Sequence, residues 1–540
     1  MSSLERLPPG TQRIEDSAGQ NILLAPQPNA DPNMPLNWSK LRKSVHMVIL
    51  CFYALMVFAT LCVSVPLWQI FNEELGISYP DLNNTYATNM AALSVGCLIF
   101  IPFALRFGRR PIYIITTLIM LASAIWQAKM KTLGDMIGTN LIMGIAGAVN
   151  EALFQVTVAD LFFVHQRGTM NGIYLTLVII GNYFGPVAAG YVAVSSQGWR
   201  WVFWWCTIFL TICSVAMVCC LEETKYIPKV IEGHDVAPPT QDDNELSKVN
   251  SVTKAPVRGS ISVDATEAAN NERRRLVEID HSIPMDSYKK RLAFYSLDKQ
   301  TTSEKRSVWM HVYQPFQILV TFPAVMFTAL QYGFLIAMLA VLAVTQASLY
   351  PFEPYNFSAA GVGNMNIPPA IGAIIGSVFG GPLNDWFIVQ VAKRRGGIYE
   401  PETRLWLFLV PGVCLPIGLF MYGLTISKGM AWQINAVGAG FIGAAIGGCG
   451  DISLTYCQDC YQFILGDALT SVVFVRNIIS TILVFAITPW MEGMGVYNMF
   501  VLLGCLGVAV ALTCVPLIIW GRKWRAKLAP KYEYYAAKQW

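Results

Sequence analysis

Residues Gly172–Gly190 read GIYLTLVIIGNYFGPVAAG and contain no charged side chain. About twenty apolar residues, wound as a helix, span the hydrocarbon core of a bilayer. Small residues recur along this stretch, and glycines allow a second helix to lie close against the backbone. Pro186 is expected to bend the helix. The stretch is therefore predicted to be a closely packed, bent membrane span, with Gly172, Gly181, Gly185, Pro186 and Gly190 as its structural residues.

The rest of the chain repeats this pattern. Apolar residues make up 54% of the 540 residues and charged residues only 13%, whereas soluble domains carry about a quarter charged residues. The composition excludes an ordinary soluble protein and predicts an all-α membrane protein, because a helix satisfies its own backbone hydrogen bonds in lipid. Twelve spans are predicted, at 44–66, 86–105, 111–128, 136–159, 168–194, 200–220, 316–348, 360–390, 404–424, 431–456, 467–488 and 497–520.

The charged residues divide the chain into parts. A polar stretch separates the first six spans from the last six, and we interpret it as a disordered cytoplasmic linker, because it has too few large apolar residues to form a core. Its basic tracts are expected to touch anionic lipid headgroups. The predicted parts are an N-terminal tail (1–43), a first half (44–221), the linker (222–312), a second half (313–520) and a C-terminal tail (521–540).

Loop charges predict the orientation. Lys and Arg cluster before the first span and after spans two, four, eight and twelve, whereas the alternate loops carry mostly Asp and Glu. Because positively charged loops stay in the cytoplasm, both termini are predicted to be cytoplasmic. The sequons at Asn83 and Asn356 would then face outside and are candidate glycosylation sites.

Two basic loops resemble a signature of the major facilitator superfamily, which consists of a glycine, an acid and Arg-x-Gly-Arg-Arg after the second span. Gly108, Arg109 and Arg110 match its cationic end, although Ile101 and Leu105 stand where the glycine and the acid belong. The counterpart after span eight has Gly381 and Asp385. The resemblance implies a major facilitator fold of two six-helix halves, with these loops locking the halves together on the cytoplasmic side. Simple positive-inside anchoring is the alternative for Arg109 and Arg110.

The glycine spacing of the fifth span resembles the antiporter motif of the twelve-helix drug/proton antiporter branch, and only Ala189 departs from it. Further strings resemble the fungal members related to histidinol and polyamine carriers: Asp31–Trp38, Asp160–Gly168, Leu221–Tyr226 and Tyr399–Arg404, which includes Glu402 and Arg404. This resemblance implies a plasma-membrane protein driven by the proton gradient. One departure is Asn140, since that branch usually carries an arginine there.

Three charged residues inside predicted spans stand out. Glu151 is in span four, Asp451 is in the matching part of span ten, and Arg476 is in span eleven. Charge in hydrocarbon costs several kcal/mol and marks substrate or proton pathways. We expect Glu151 and Asp451 to face a cavity and to take up protons or bind a cation, with Arg476 pairing with one of them or holding an anion. A purely structural ion pair is the alternative.

Mixed polar and aromatic residues lie close to these charges in the sequence. Asn182 and Tyr183 in span five, and Gln331 and Tyr332 in span seven, would suit an amphipathic solute. Aromatic residues on membrane helices also serve as lipid-facing or packing residues, which is the alternative for Tyr183 and Tyr332.

The predicted function is secondary active transport, namely proton-coupled export of a small xenobiotic or secondary metabolite by a monomer. Two transport alternatives are uptake of a polyamine-like cation and transport of an organic acid; a third is a receptor that signals through the linker. No enzyme activity, cofactor, metal site or nucleic-acid partner is expected. The net charge is only +4, and the CxxC pair Cys457 and Cys460 lacks a second ligand pair.

Overall fold

The computed structural model describes residues 8–13, 31–162, 164–225, 285, 287–292, 310–394 and 398–537. These residues are almost entirely helical, apart from a short antiparallel ladder in which β1 (Gln12–Arg13) pairs with β2 (Ile398–Tyr399). Within the described ranges, eleven segments are long and apolar enough to cross a membrane. The last segment has 76 residues and is interrupted at Gly495, where φ is 78°. It therefore supplies two crossings, which makes twelve.

The first half begins after a 3₁₀ turn at Pro35–Asn37 and has a second such turn at Val65–Leu67. Its helices are α1 (Lys40–Cys62), α2 (Trp68–Leu75), α3 (Tyr79–Phe107), α4 (Arg109–Ala128), α5 (Leu133–Leu161), α6 (Val164–Ile179), α7 (Gly185–Val194) and α8 (Arg200–Cys220). A π-helical segment, Ile180–Phe184, joins α6 to α7.

A short helix, α9 (Tyr288–Arg291), belongs to the predicted linker. The second half contains 3₁₀ turns at Pro401–Thr403 and Gln462–Ile464. Its helices are α10 (Met310–Thr321), α11 (Pro323–Leu349), α12 (Ala359–Asn364), α13 (Ile367–Gly380), α14 (Pro382–Arg394), α15 (Arg404–Ser427), α16 (Trp432–Cys460), α17 (Leu465–Leu512) and α18 (Cys514–Ala537).

Several predicted boundaries differ from the structure. The predicted span 360–390 is divided into α12, α13 and α14, and α13 and α14 each have a proline in their first turn, where the missing N–H costs no helical hydrogen bond. The predicted C-terminal tail continues α18 as a helix to Ala537. The predicted linker is shorter than 222–312, because α10 begins at Met310 and residues 222–225 pack on the first half. Apart from residues 285 and 287–292, the remaining linker positions lie outside the described residues.

The two ends of the bundle differ in how the halves meet. We call the end that carries β1, the start of α1 and the end of α8 the terminal side, and the opposite end the far side. On the far side, a Cβ added to Gly190 of α7 would lie 2.5 Å from the carbonyl oxygen of Ala359 in α12. The Asn83 amide of α3 also donates to the Val484 carbonyl of α17, at 2.8 Å. The halves are therefore in direct contact on the far side.

Candidate functional site

A buried polar cluster joins the two halves within the membrane. Glu151 of α5 forms an ion pair with Arg476 of α17, and both side chains are less than 10% exposed. Asn477 bonds both partners: its amide nitrogen donates to Glu151 at 2.8 Å, and its oxygen accepts two bonds from Arg476 at 3.1 Å. The structure thus brings together two charges that the sequence placed in different halves, together with an amide that the sequence interpretation missed.

Tyr332 of α11 completes this cluster. The Arg476 guanidinium carbon lies 5.2 Å from the centre of the Tyr332 ring, which is within the range of a cation–π interaction. The four side chains line one wall of a central cavity that encloses about 1120 Å³ of empty space, its solvent-open part included. Further polar or aromatic groups also line this cavity: Phe58, Tyr86, Gln155, Tyr174, Asn182 and Asn366.

A second, smaller cavity of about 520 Å³ of empty space contains Asp451 of α16. Tyr183, Tyr332 and Asn182 also line it, and the last two belong to the central cavity as well. Among the described residues, no side chain forms an ion pair or a hydrogen bond with the Asp451 carboxylate. The hydroxyl of Tyr183 is buried, and it also has no hydrogen-bond partner among the residues that the structure describes.

The π-helical segment explains why neighbouring residues of the fifth crossing reach two cavities. A π-helix has a wider turn than an α-helix, and single turns of this kind are frequent at functional sites. Here the turn contains Gly181, Asn182 and Tyr183. Gly181 and Gly185 lie directly against α1, where an added Cβ would come within 3.0 Å of backbone or side-chain atoms. The sequence indicated close packing but gave no signal for the π turn.

Two other residues that the sequence analysis named lie outside both cavities. Gln331 was predicted to contact solute, but it is fully buried, its two side-chain polar atoms have no partner among the described residues, and neither cavity is lined by it. Asn140, at the position of the missing arginine, is buried against Asn89 of α3 and also lies outside the cavity walls.

The basic loop between α3 and α4 organises the terminal side of the first half. Arg109 pairs with Asp160 of α5 at 3.0 Å. The backbone N–H groups of Arg109 and Arg110 donate to the Glu223 carboxylate at 2.9 and 3.0 Å, so this anion caps the start of α4. Gly108 has φ 113°, and a Cβ there would lie 2.4 Å from the same carboxylate. Glycine is therefore required at this turn.

A matching network lies in the second half. Arg404 at the start of α15 pairs with Asp385 of α14 at 2.9 Å and with Asp459 of α16. The hydroxyl of Tyr399 donates to Asp459. Burial, together with the neighbouring Asp459 carboxylate, raises the pKa of the Tyr399 phenol above its ordinary value, so the phenol remains a donor.

Glu402 is also paired in this half. Its carboxylate accepts two bonds from Arg525 of α18, at 2.8 and 2.6 Å, and both side chains are buried.

The basic loops were expected to lock the two halves together. In this far-side-closed structure, every terminal-side ion pair between described residues of the bundle lies within a single half, so a lock between the halves stays a prediction for the opposite state. The physical reason is local: the acids Asp160 and Asp459 end the adjacent helices of the same half. Arg291 of α9 joins Glu222 at 3.7 Å, so this linker residue faces protein rather than lipid alone.

The remaining predicted residues divide by their surroundings. Within the antiporter-like pattern, Gly190 and Pro186 lie in the contact between α7 and α12, whereas an added Cβ at Gly172 would meet nothing within 4 Å. Gly381 has a non-helical backbone conformation and separates α13 from α14. The Asn83 side chain is buried and bonded to α17, which leaves its amide inaccessible in this conformation, whereas Asn356 lies in an exposed far-side loop. The described residues contain no group of three or more His, Cys, Asp or Glu side chains that could hold a metal ion.

Comparison with known proteins identifies the family of this two-cavity bundle. The sequence profile described as Major Facilitator Superfamily matches residues 47–484. The chain belongs to the major facilitator superfamily. This assignment makes it a multi-pass membrane transporter, a class whose members bind small-molecule substrates, and confirms the predicted fold.

Relatives and solved structures agree with this assignment. An uncharacterized MFS-type transporter of Schizosaccharomyces pombe is 35% identical over 94% of this chain and 89% of its own length. Protein HOL1 of Saccharomyces cerevisiae is 29% identical, with 93% and 90% of the two chains covered. Efflux pump radE of Floropilus chiversii is 23% identical, with 93% and 84% covered. The solved D-xylose–proton symporter has the same fold, with a TM-score of 0.55 at 15% identity and 88% and 97% of the chains covered.

Proposed function

We propose that this major facilitator protein exports a small amphipathic organic compound, a xenobiotic or secondary metabolite, in exchange for protons. The observation that carries the proposal is the arrangement of two carboxylates at two neighbouring cavities, which share the lining residues Asn182 and Tyr332. Glu151 is paired across the halves, and Asp451, which lines the neighbouring cavity, has no side-chain partner among the described residues. The relative named as an efflux pump and the antiporter-like glycine pattern of α6 and α7 support export.

The two carboxylates take different roles in this proposal. An ion pair with a hydrogen-bonded partner favours the charged form of an acid, whereas an apolar, unpaired environment favours the neutral form. Asp451 therefore binds and releases the transported proton. Glu151 and Arg476 hold the halves in register while the cavity is closed on the far side.

The lining of the cavities is suited to an amphipathic solute. Aromatic and aliphatic side chains form most of the walls, and a few polar groups are placed among them, as is usual for small-molecule sites. A neutral Asp451 would leave the cavities without net charge, because Glu151 and Arg476 compensate each other. Substrate and proton then compete for the same connected space.

The proposal includes the setting of the protein. It places a monomer in the plasma membrane, with the terminal side in the cytoplasm, as the distribution of Lys and Arg predicts. Asn356, exposed on the far side, is the position we propose for glycosylation. In this orientation, the structure is closed to the outside.

Uptake of a polyamine-like cation is the second candidate. The observation that favours it is the charge of the two cavities: two carboxylates and one guanidinium line them, so an ionised Asp451 leaves one negative charge for a cationic amine. Transport of an organic acid would need the Arg476 guanidinium to bind the carboxylate of the solute, but this guanidinium already forms an ion pair with Glu151.

A reconstitution experiment tests these functions. Purified protein in vesicles with an acidified interior would be offered rhodamine 6G, spermidine and benzoate as an amphipathic dye, a polyamine and an organic acid. Antiport predicts that rhodamine 6G accumulates inside as protons leave, and that collapsing the gradient abolishes the accumulation. Loss of solute from preloaded acidic vesicles would indicate symport. If no probe moves faster than in protein-free vesicles, the transport proposal is wrong for these classes.

A further inference from the structure

Asn477 occupies an unusual position in the midplane cluster. It follows Arg476 directly in α17, and adjacent residues of a helix normally point in different directions. Both nevertheless reach Glu151 of the other half. Asn477 is only 1% exposed, so its hydrogen bonds are made away from water and each one matters for the stability of the cluster.

The chemistry of the carboxamide suits this position. An asparagine side chain has both a donor and an acceptor. Here the nitrogen donates to the anion and the oxygen accepts from the cation, so one side chain satisfies both members of the pair. Aspartate would place a second negative charge beside Glu151, and leucine would leave both partners with unmet hydrogen bonds.

We propose that Asn477 is a positioning residue that ties the two halves together in the far-side-closed state. It holds Arg476 in the geometry that meets Glu151, and it adds a second bond to Glu151 across the boundary between the halves. The tie forms in this state and breaks when the far side opens, so Asn477 sets the balance between the two states. This inference deepens the proposed function and rests on it only for its consequence in transport.

The groups that surround the tie come from four other helices. Glu151 belongs to α5, Tyr332 to α11 and Tyr174 to α6, and Cys97 of α3 also lies near the guanidinium. Tyr332 also contacts Arg476, whose guanidinium carbon lies 5.2 Å from the centre of the Tyr332 ring. Arg476 therefore keeps one partner when the tie is released, which limits the cost of separating it from Glu151.

A distance measurement between the halves tests the proposal without requiring transport. Spin labels at the exposed far-side positions Ser196 and Glu353, in a background with reactive cysteines replaced, report far-side opening in lipid nanodiscs. Asn477→Leu is expected to raise the ratio of far-side-open to far-side-closed protein by about tenfold, since hydrogen bonds to charged groups are the stronger ones. Asn477→Gln, which keeps the amide, is expected to restore part of the wild-type ratio.

Controls separate positioning from general damage. Thr470→Val removes a buried hydroxyl about two turns before Asn477 in α17, whose hydrogen bond between described residues goes to the Gly466 carbonyl of the same helix, and it should leave the ratio unchanged. In a Glu151→Leu background, Asn477→Leu should no longer change the ratio of open to closed protein, because the carboxylate that Asn477 bonds across the boundary is gone. Unchanged distances in Asn477→Leu, or equal effects with and without Glu151, would overturn the proposal. Wild-type protein that shows the predicted distances but no coupled transport would refute the proposed function alone.

Discussion

Glu151 and Asp451 occupy matching positions in the two halves, but their surroundings differ. Glu151 meets an arginine and an amide from the other half, whereas Asp451 shares a small cavity with the hydroxyl of Tyr183, which has no hydrogen-bond partner among the described residues. Nine residues after Glu151, Asp160 pairs with Arg109; eight residues after Asp451, Asp459 pairs with Arg404. The halves are therefore alike at the terminal side and differ at the midplane. The likeness maintains each half as a unit, and the difference supports the proposal that one carboxylate fixes the halves while the other carries the proton.

The largest expected effect comes from breaking the Glu151 pair on one side. Arg476→Met leaves a buried carboxylate without its cation, and we expect a loss of about 3–5 kcal/mol in the free energy of unfolding. The double variant Glu151→Leu with Arg476→Met should recover most of this loss, because a buried pair can be replaced by apolar side chains at little cost. Thermal unfolding in detergent measures both. An equally unstable double variant would mean that the pair is not the source of the effect.

Asp451→Asn should separate stability from coupling. Since no described side chain pairs with Asp451, its neutral isostere should change the free energy of unfolding by less than about 1 kcal/mol. Gradient-driven flux should fall by about tenfold or more, because the proton acceptor is gone. Flux in acidified vesicles is the measurement, and Glu492→Gln on the exposed far side is the control. Full coupled flux in Asp451→Asn would transfer the proton role to Glu151.

A smaller effect is expected from the far-side contact that brings the halves together around Glu151. Gly190→Val places a side chain within 2.5 Å of the Ala359 carbonyl, so the far side should close less completely and flux should fall by about fivefold. Gly172→Val, in the same motif, has open space and should keep wild-type flux. Equal effects of the two substitutions would argue against far-side packing as the cause.

The smallest effect concerns the surroundings of Asp451. Tyr183→Phe removes a buried hydroxyl that has no hydrogen-bond partner among the described residues, and we expect the concentration for half-maximal transport to rise by about two- to threefold because solute loses a hydrogen bond. Tyr456→Phe removes another buried hydroxyl without a partner among the described residues, outside both cavities, and should change nothing. A matched change in both variants would assign the effect to packing.

Sequence reasoning located residues most directly where one residue type carries a large local cost, while their roles stay predictions. Glu151, Asp451 and Arg476 stood out because charge in hydrocarbon is expensive, and the structure places all three at cavity walls. It was less successful where helix rotation decides the outcome. α11 is apolar around its whole circumference, so the sequence could not tell that Tyr332 faces the cavity while Gln331 faces away from it. Asn477 carries no charge, and nothing in its sequence context marks it.

The sequence by itself determined that the chain lies in lipid, that it crosses roughly twelve times, and that a few charges are held inside, because each of these follows from the transfer free energy of individual side chains. Only the tertiary structure decided which charges meet, since the Glu151–Arg476 distance depends on how α5 and α17 pack across the boundary between the halves. The π turn at Ile180–Phe184 and the single-half terminal networks were decided in the same way. They depend on contacts between helices, which the apolar pattern along one helix does not encode.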